Sequence, residues 1–231
     1  MRIHGLQKMT LLDFPGRVAC TVFLGGCDFR CPFCHNFGLV DGSAPPLMGE
    51  EELLSFLKRR RGLLDGVAIT GGEPCLHPEL PRLMRSFRDL GYAVKLDTNG
   101  NHPAMLAEIL RDGLADYLAM DIKNSPEKYA MTVGLPELDL APVRESAALL
   151  MGSGIPFEFR TTVVRELHRP EDFHGIGQMI AGAETYFLQA FTDRETVPFG
   201  NLHPPTAEEM QLCASVAAEY VKQVTIRGMD I

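Results

Sequence analysis

Residues 18–34 read Val-Ala-Cys-Thr-Val-Phe-Leu-Gly-Gly-Cys-Asp-Phe-Arg-Cys-Pro-Phe-Cys, a strand-like run that leads into three closely spaced cysteines. Val18–Leu24 is rich in apolar and β-branched residues and ends at two glycines, which predicts a buried strand. Cys27, Cys31 and Cys34 follow in a C-x3-C-x2-C pattern with no fourth cysteine close by in sequence. Three thiolates can hold a four-iron cluster and leave one iron open to a small molecule.

Other ligand sets for this cysteine loop stay open at this point. His35 would complete a structural zinc site, although zinc ligands are usually two or more residues apart and Cys34 is its direct neighbour. A closed ferredoxin-like cluster needs a fourth cysteine, and Cys75 could reach the same face from the next strand end. The open-iron cluster is the interpretation that the spacing favours.

Further along the chain, strand-like runs alternate with segments of helical periodicity. The predicted strands are Val18–Leu24, Val67–Thr70, Ala93–Thr98, Tyr117–Ile122, Pro156–Val164 and Thr185–Phe191. The predicted helices are Glu50–Arg61, Pro78–Leu90, Pro103–Asp112, Leu140–Ser153, Pro170–Ile180 and Pro205–Tyr220, before a β-like tail at Gln223–Arg227. We therefore predict an α/β fold, a partial (β/α)6 TIM-like barrel, with an open doubly wound sheet as the alternative. We expect one domain over residues 1–231.

Unusual polar residues stand where the predicted strands end. In either candidate fold, ligands bind at the carboxyl ends of the parallel strands, so we expect these residues to share one site with the cysteine loop. They are Gly71-Gly72-Glu73-Pro74, Asp97-Thr98-Asn99-Gly100, Asp121-Ile122-Lys123, Arg160, Thr162 and Gln189-Ala190-Phe191.

The residue types at these ends allow both structural and binding roles. Gly71 and Gly72 either shape a turn or let a ligand approach the backbone, and Glu73 either fixes that turn or accepts an ammonium group. Asp97 and Asp121 end neighbouring strands and need a positive charge nearby. That charge belongs to a structural ion pair or to a ligand.

Arg160 is a charged residue within an apolar strand and therefore needs a partner. A ligand carboxylate is one candidate. Glu158 is assigned to the opposite face of the strand and is not taken as its partner.

The net charge of −8 disfavours general nucleic-acid binding, which needs a basic surface. No apolar run is long enough to span a membrane, and the first residues lack a signal peptide, so we expect a cytoplasmic protein without a membrane partner. In that compartment, six cysteines do not indicate a disulfide framework.

The cysteine pattern, Phe33 before its last cysteine and the Gly-Gly-Glu-Pro motif together resemble the radical S-adenosylmethionine (SAM) superfamily. Residues 5–16 and Cys34-His35-Asn36 are especially similar to the activating proteins of anaerobic ribonucleoside-triphosphate reductase, which belong to the activating enzymes of glycyl radical enzymes. The Asp-Thr-Asn-Gly and Asp-Ile-Lys motifs also recur in the related pyruvate formate-lyase activating enzymes.

The resemblance implies a [4Fe-4S] cluster on Cys27, Cys31 and Cys34 whose open iron chelates SAM. It also implies a set of SAM contacts. On the adenosyl side these are Phe33, Cys34 and His35, and at the ammonium group they are Gly71, Gly72 and Glu73. Asp121 and Lys123 would contact the ribose and carboxylate, with Arg160 and Thr162 nearby, and Asp97, Thr98 and Asn99 would contribute from the end of the third strand. Asp97, Thr98 and Asp121 would also bind a monovalent cation.

The resemblance further implies a function in which no side chain is catalytic, because the cofactor carries the radical. Reductive cleavage of SAM would give a 5′-deoxyadenosyl radical that takes a hydrogen atom from a glycine of a partner, most simply anaerobic ribonucleotide reductase. A flavodoxin- or ferredoxin-type protein would supply the electron. The alternatives are a small-molecule radical enzyme similar to 7-carboxy-7-deazaguanine synthase and a non-enzymatic metal- or cluster-binding protein. One departure concerns the adenine side, where the family's histidine is replaced by Gln189-Ala190-Phe191-Thr192.

Overall fold

The predicted alternation of strands and helices forms a largely parallel sheet flanked by helices in the computed structural model, which describes residues 1–229. The strands are β1 (Arg2–Ile3), β2 (Gly5–Thr10), β3 (Ala19–Leu24), β4 (Met48–Gly49), β5 (Gly66–Gly71), β6 (Ala93–Thr98), β7 (Tyr117–Asp121), β8 (Phe157–Val163), β9 (Thr185–Ala190) and β10 (Gln223–Arg227). The helices are α1 (Phe37–Val40), α2 (Glu50–Arg59), α3 (Leu80–Asp89), α4 (Pro103–Arg111), α5 (Tyr129–Thr132), α6 (Ala141–Gly152), α7 (Asp172–Met179) and α8 (Ala207–Ala217).

The main sheet has eight strands in the order β10-β9-β8-β7-β6-β5-β3-β2. All neighbours pair in parallel except β2, which runs antiparallel to β3. Within residues 1–229, the two edge strands β2 and β10 do not pair with each other, so the barrel stays open. The predicted α/β partial barrel is confirmed.

Two strands extend the sheet beyond the six predicted. The tail at Gln223–Arg227 pairs in parallel with β9 as a seventh parallel strand. Strand β2 was not predicted, because Gly5–Thr10 lacks a clear apolar alternation and several of its residues are exposed. It gains its partner only through β3, a contact that local sequence does not reveal.

Strand alternation gives the sheet two different faces. Val94, Leu96, Leu118 and Met120 are fully buried in the hydrophobic core with the surrounding helices. Lys95 and the other charged residues of β6, β7 and β8 alternate with them on the concave face, where their side chains contact one another. The open barrel therefore has a polar interior. None of the helices within residues 1–229 is long and apolar enough to cross a membrane.

Candidate functional site at the carboxyl end of the sheet

A pocket at the carboxyl ends of the parallel strands brings together all of the residues predicted to bind the cluster or SAM. It encloses about 850 Å³, part of which is open to solvent. Sequence reasoning missed four other lining residues, Phe29, Asn36, Val40 and Thr70. Phe29 lies within the cysteine loop and Asn36 just after it, so their positions were a signal, whereas only the fold places Val40 and Thr70 here.

The cysteine loop is anchored through its backbone on both sides. Gly26 N–H donates to the Leu39 carbonyl at 2.7 Å, and the Gly26 carbonyl accepts from Glu73 N–H at 2.8 Å. On the far side, Arg30 N–H donates to the Val133 carbonyl at 2.8 Å. The loop is thus tied to three separate segments of the chain, so its cysteines are held in place by the fold.

Burial keeps the free thiols protonated. Burial raises the pKa of Cys27 to about 12 and that of Cys31 to about 11. Thiolates are the form that binds metal, so metal binding at this loop must release protons.

The arrangement of the donors fits a group larger than one metal ion. Thiolates on a single zinc ion lie within roughly 4 Å of each other, because each Zn–S bond is about 2.3 Å. Within residues 1–229, no three His, Cys, Asp or Glu side chains converge closely enough to bind a single ion. Cys75 does not line the pocket, since it is buried behind Glu73 and Thr98. Cys27, Cys31 and Cys34 thus line one pocket without converging on a single-ion site, which leaves room for a larger group such as a cluster.

Below the loop lies a buried donor without a partner. The Tyr129 ring packs edge-on against Phe29 with 6.5 Å between centroids, and its hydroxyl makes no hydrogen bond within the described part of the chain. Burial raises the pKa of this phenol, and Lys123 and Cys31 are among the ionisable groups that act on it. A sulfur acceptor at the cysteine loop would satisfy a hydroxyl of this kind.

The two glycines of the Gly-Gly-Glu-Pro motif make room for the cysteine loop. Gly71 has φ +120, and a Cβ there would lie 2.4 Å from the Leu24 carbonyl oxygen. A Cβ on Gly72 would lie 1.9 Å from the carbonyl oxygen of Gly26. No side chain fits at either position, because the backbone that leads into Cys27 crosses there.

Glu73 fixes this turn with its carboxylate. It accepts hydrogen bonds from Cys75 N–H at 2.9 Å, from the Thr98 hydroxyl at 2.8 Å and from Asn99 N–H at 2.6 Å. Burial raises the pKa of Glu73 to about 7, against the opposing effect of these three donors. The sequence left two roles open for Glu73, and these contacts support the one in which Glu73 fixes the turn.

The carboxylates of Asp97 and Asp121 are balanced by cations of the protein itself. Lys95 pairs with Asp97, Arg160 lies 3.3 Å from Asp97 and 2.9 Å from Asp121, and Lys123 lies 2.9 Å from Asp121. Burial opposes ionisation of both acids, but Arg160 with Lys95 holds the pKa of Asp97 below its usual value, and Arg160 with Lys123 does the same for Asp121. The cluster of charges is a structural ion-pair network that faces the pocket.

The assignment of Glu158 to the opposite face was wrong. Its carboxylate lies 4.0 Å from the Arg160 guanidinium, and it also accepts from the Tyr117 hydroxyl at 2.9 Å. Residues two apart on a strand share a face, so Glu158 and Arg160 both point into the barrel. Arg160 therefore has protein partners in addition to any ligand.

At another edge of the pocket, His35 connects the cysteine loop to the end of β9. Its ring stacks on Phe191 with 5.7 Å between centroids and an interplanar angle of 13°, and its Nε2 lies 2.6 Å from the Thr192 carbonyl. Phe33 is buried and lines the same pocket. The segment that departs from the family pattern is thus held by a residue of the cysteine loop.

Comparison with protein families matches residues 21–174 to the radical SAM superfamily, a match that includes the cysteine loop and the strand ends described above. This chain belongs to the radical SAM superfamily.

Relatives of this radical SAM protein include activating enzymes. It is 28% identical over 237 residues to a putative glycyl-radical enzyme activating enzyme of Methanocaldococcus jannaschii, covering 99% of this chain and 96% of the relative. It is 34% identical over 128 residues to the pyruvate formate-lyase-activating enzyme of Clostridium pasteurianum, covering 53% of this chain and 52% of the relative. The chain is therefore a homologue of glycyl-radical enzyme activating enzymes.

Solved structures agree on the fold. A domain of a pyruvate-formate lyase-activating enzyme from Bacteroides vulgatus superposes with a TM-score of 0.57 at 19% identity, covering 71% of this chain and 99% of that one. Streptococcus suis SuiB bound to S-adenosylmethionine superposes with a TM-score of 0.66 at 12% identity, covering 90% of this chain and 52% of that one.

Proposed function

We propose that this protein cleaves SAM reductively at a [4Fe-4S] cluster and installs a glycyl radical on a partner enzyme, anaerobic ribonucleoside-triphosphate reductase. The observation that carries the proposal is the pocket itself, in which three separated thiols and the polar strand ends face one space in a homologue of glycyl-radical enzyme activating enzymes. We propose one radical SAM domain over residues 1–231, of which the last two lie outside the described residues, and a cytoplasmic location.

Each part of the pocket has a role in this proposal. Cys27, Cys31 and Cys34 would hold the cluster, which when bound supplies the electron that splits SAM into methionine and a 5′-deoxyadenosyl radical. Phe33 and His35 would exclude water on the adenosyl side.

The polar strand ends would hold the remainder of SAM. The Gly71 carbonyl and the backbone around it would accept the ammonium group, while the Asp121 and Lys123 side chains would bind the ribose and carboxylate, with Arg160 and Thr162 close by. Because the ion pairs already fix these charged groups, little reorganisation would accompany binding.

A monovalent cation at Asp97, Thr98 and Asp121 stays a prediction from the resemblance. It would have to replace Lys95 or Arg160 as a partner of Asp97. The flavodoxin- or ferredoxin-type electron donor is likewise part of the proposal, since the cluster needs an external electron.

The test is anaerobic reconstitution with iron and sulfide, reduction in the presence of SAM, and quantification of 5′-deoxyadenosine. Addition of the reductase partner should then give a glycyl-radical EPR doublet. Cys31→Ala should lose the cluster and the cleavage product, whereas Cys75→Ala, the matched control at a buried cysteine outside the pocket, should keep both. A fully loaded wild type that forms no 5′-deoxyadenosine would refute the proposal.

A second candidate function is radical chemistry on a small molecule. The chain is 42% identical over 93 residues to the 7-carboxy-7-deazaguanine synthase of Hyperthermus butylicus, covering 39% of this chain and 38% of the relative. Cleavage of SAM without a radical on any glycyl radical enzyme, but with turnover of a small-molecule substrate such as a modified purine, would favour this candidate. The homology to enzymes does not support the non-enzymatic alternative.

A further inference from the structure

Asn99 joins two carboxylates that brace the site, those of the buried Glu73 and the partly buried Asp28. Its backbone N–H donates to Glu73 at 2.6 Å, and its side-chain Nδ2 donates to Asp28 at 2.8 Å. The same Nδ2 lies 4.0 Å from the Sγ of Cys27. Asn99 is buried, so solvent does not compete strongly for this amide.

The surrounding contacts decide which end of the amide faces the sulfur. Asn101 N–H donates to Asn99 Oδ1 at 2.9 Å, which requires an oxygen at that position. With Oδ1 fixed in this way, the other end of the amide is the NH2 group, and it donates to Asp28. An amide NH2 has two hydrogens. One is used by Asp28, and the second is left for Cys27.

Asp28 is itself held firmly. Asn101 Nδ2 donates to its second oxygen at 2.6 Å, and His102 Nε2 lies 3.1 Å from the same oxygen. The carboxylate therefore orients the Asn99 amide. On the other side of the sulfur, Phe29 N–H lies 3.4 Å from Cys27 Sγ. Cys27 is thus approached by two N–H donors of the protein.

We propose that Asn99, oriented by Asp28, is a positioning residue that donates an N–H···S hydrogen bond to the Cys27 thiolate of the loaded enzyme and thereby raises the reduction potential of the cluster. The inference rests on the proposed function, in which Cys27 is a cluster ligand. A thiolate is a stronger acceptor than the thiol, and hydrogen bonds to ligand sulfurs are a principal determinant of cluster potentials. With the cluster bound, this bond would stabilise the negative charge that reduction by a low-potential donor adds.

The experiment compares Asn99→Ala with Asn101→Ala. The first removes the amide at the sulfur and keeps the backbone bond to Glu73, whereas the second removes a contact to Asp28 from a side chain with no contact to Cys27. Iron and sulfide are quantified, and the midpoint potential is then measured by EPR-monitored redox titration without SAM. We expect a more negative midpoint for Asn99→Ala and a clearly smaller shift for Asn101→Ala, in which His102 still contacts Asp28.

Equal midpoints for wild type and Asn99→Ala at equal iron content would overturn the inference. Asn99→Ser, whose short hydroxyl cannot reach the sulfur, is the second variant and should show the same negative shift. If both Asn99 variants fail to load while Asn101→Ala loads, Asn99 only holds the loop and the tuning role is refuted. Because these titrations omit SAM, failure of SAM cleavage in the wild type would refute the proposed function separately.

Discussion

Replacement of Gly72 by alanine is the most direct test of how the site is built. The new Cβ would lie 1.9 Å from the Gly26 carbonyl oxygen, whereas ordinary contacts begin at 3.4 Å. The obstructing atom belongs to backbone, so no side-chain rotation can relieve the contact. The strand end or the start of the cysteine loop must therefore move.

The cost follows from the bonds that hold Gly26. Its carbonyl accepts from Glu73 N–H at 2.8 Å, and its N–H donates to the Leu39 carbonyl at 2.7 Å. Overpacking costs about 1–3 kcal/mol, and a buried hydrogen bond lost with its partner stranded costs about 1–3 kcal/mol more. We expect Gly72→Ala to lower the free energy of unfolding by about 2–6 kcal/mol, a large part of the total for a domain of this size.

The assay is urea unfolding of the reduced apoprotein, followed by iron quantification after reconstitution. Gly152→Ala is the matched control, since a Cβ there meets no atom within 4 Å and the residue ends helix α6. The control should change stability by less than about 1 kcal/mol and load normally. A Gly72→Ala protein as stable and as well loaded as the control would refute the close packing argued here.

Other substitutions test the charged groups of the site. Arg160→Met leaves Asp97 and Asp121 without their shared guanidinium, so the free energy of unfolding measured in urea should fall by about 2–4 kcal/mol. A fall of less than about 0.5 kcal/mol would contradict the ion-pair network. Glu73→Gln places an amide NH2 against donors and should cost about 1–3 kcal/mol in the same assay and reduce iron loading. Asp28 has a folded-state pKa of about 2, below its ordinary 3.8, so its stabilisation is present at neutral pH and is lost as pH falls from about 5 to 2. Over that range the free energy of unfolding of the wild-type apoprotein should fall by about 1–2 kcal/mol more than that of Asp28→Asn, after allowance for the partial exposure of Asp28. Parallel plots of unfolding free energy against pH for the two proteins would contradict this.

Much of this site followed from one regularity of the sequence. The carboxyl ends of parallel strands share an edge of the sheet, so polar residues at successive strand ends meet even when they are far apart in the chain. The cysteine loop, the Gly-Gly-Glu-Pro turn and Asp121 were placed together on that basis, and the structure brings them into one pocket.

Features that depend on pairing across the sheet did not follow from the sequence. Arg160 stands in an apolar strand, and nothing local shows that its partners are Asp97 and Asp121 on two other strands. The bonds from Asn101 and His102 to Asp28 join segments more than 70 residues apart. In both cases the partner is set by the fold, and a charge in isolation says only that some partner is needed.

These contacts suggest why the motifs occur together. Glu73 binds the turn after β5 to Thr98 and Asn99 at the end of β6, and Asp28 binds the cysteine loop to the same Asn99. Three strand ends thereby become one hydrogen-bonded unit whose donors and acceptors all come from the polypeptide. A cofactor bound against that unit meets groups that are already oriented, and removal of either carboxylate, Glu73 or Asp28, should affect the other through Asn99. The same coupling explains how residues that contribute no ligand atom can control the position of Cys27.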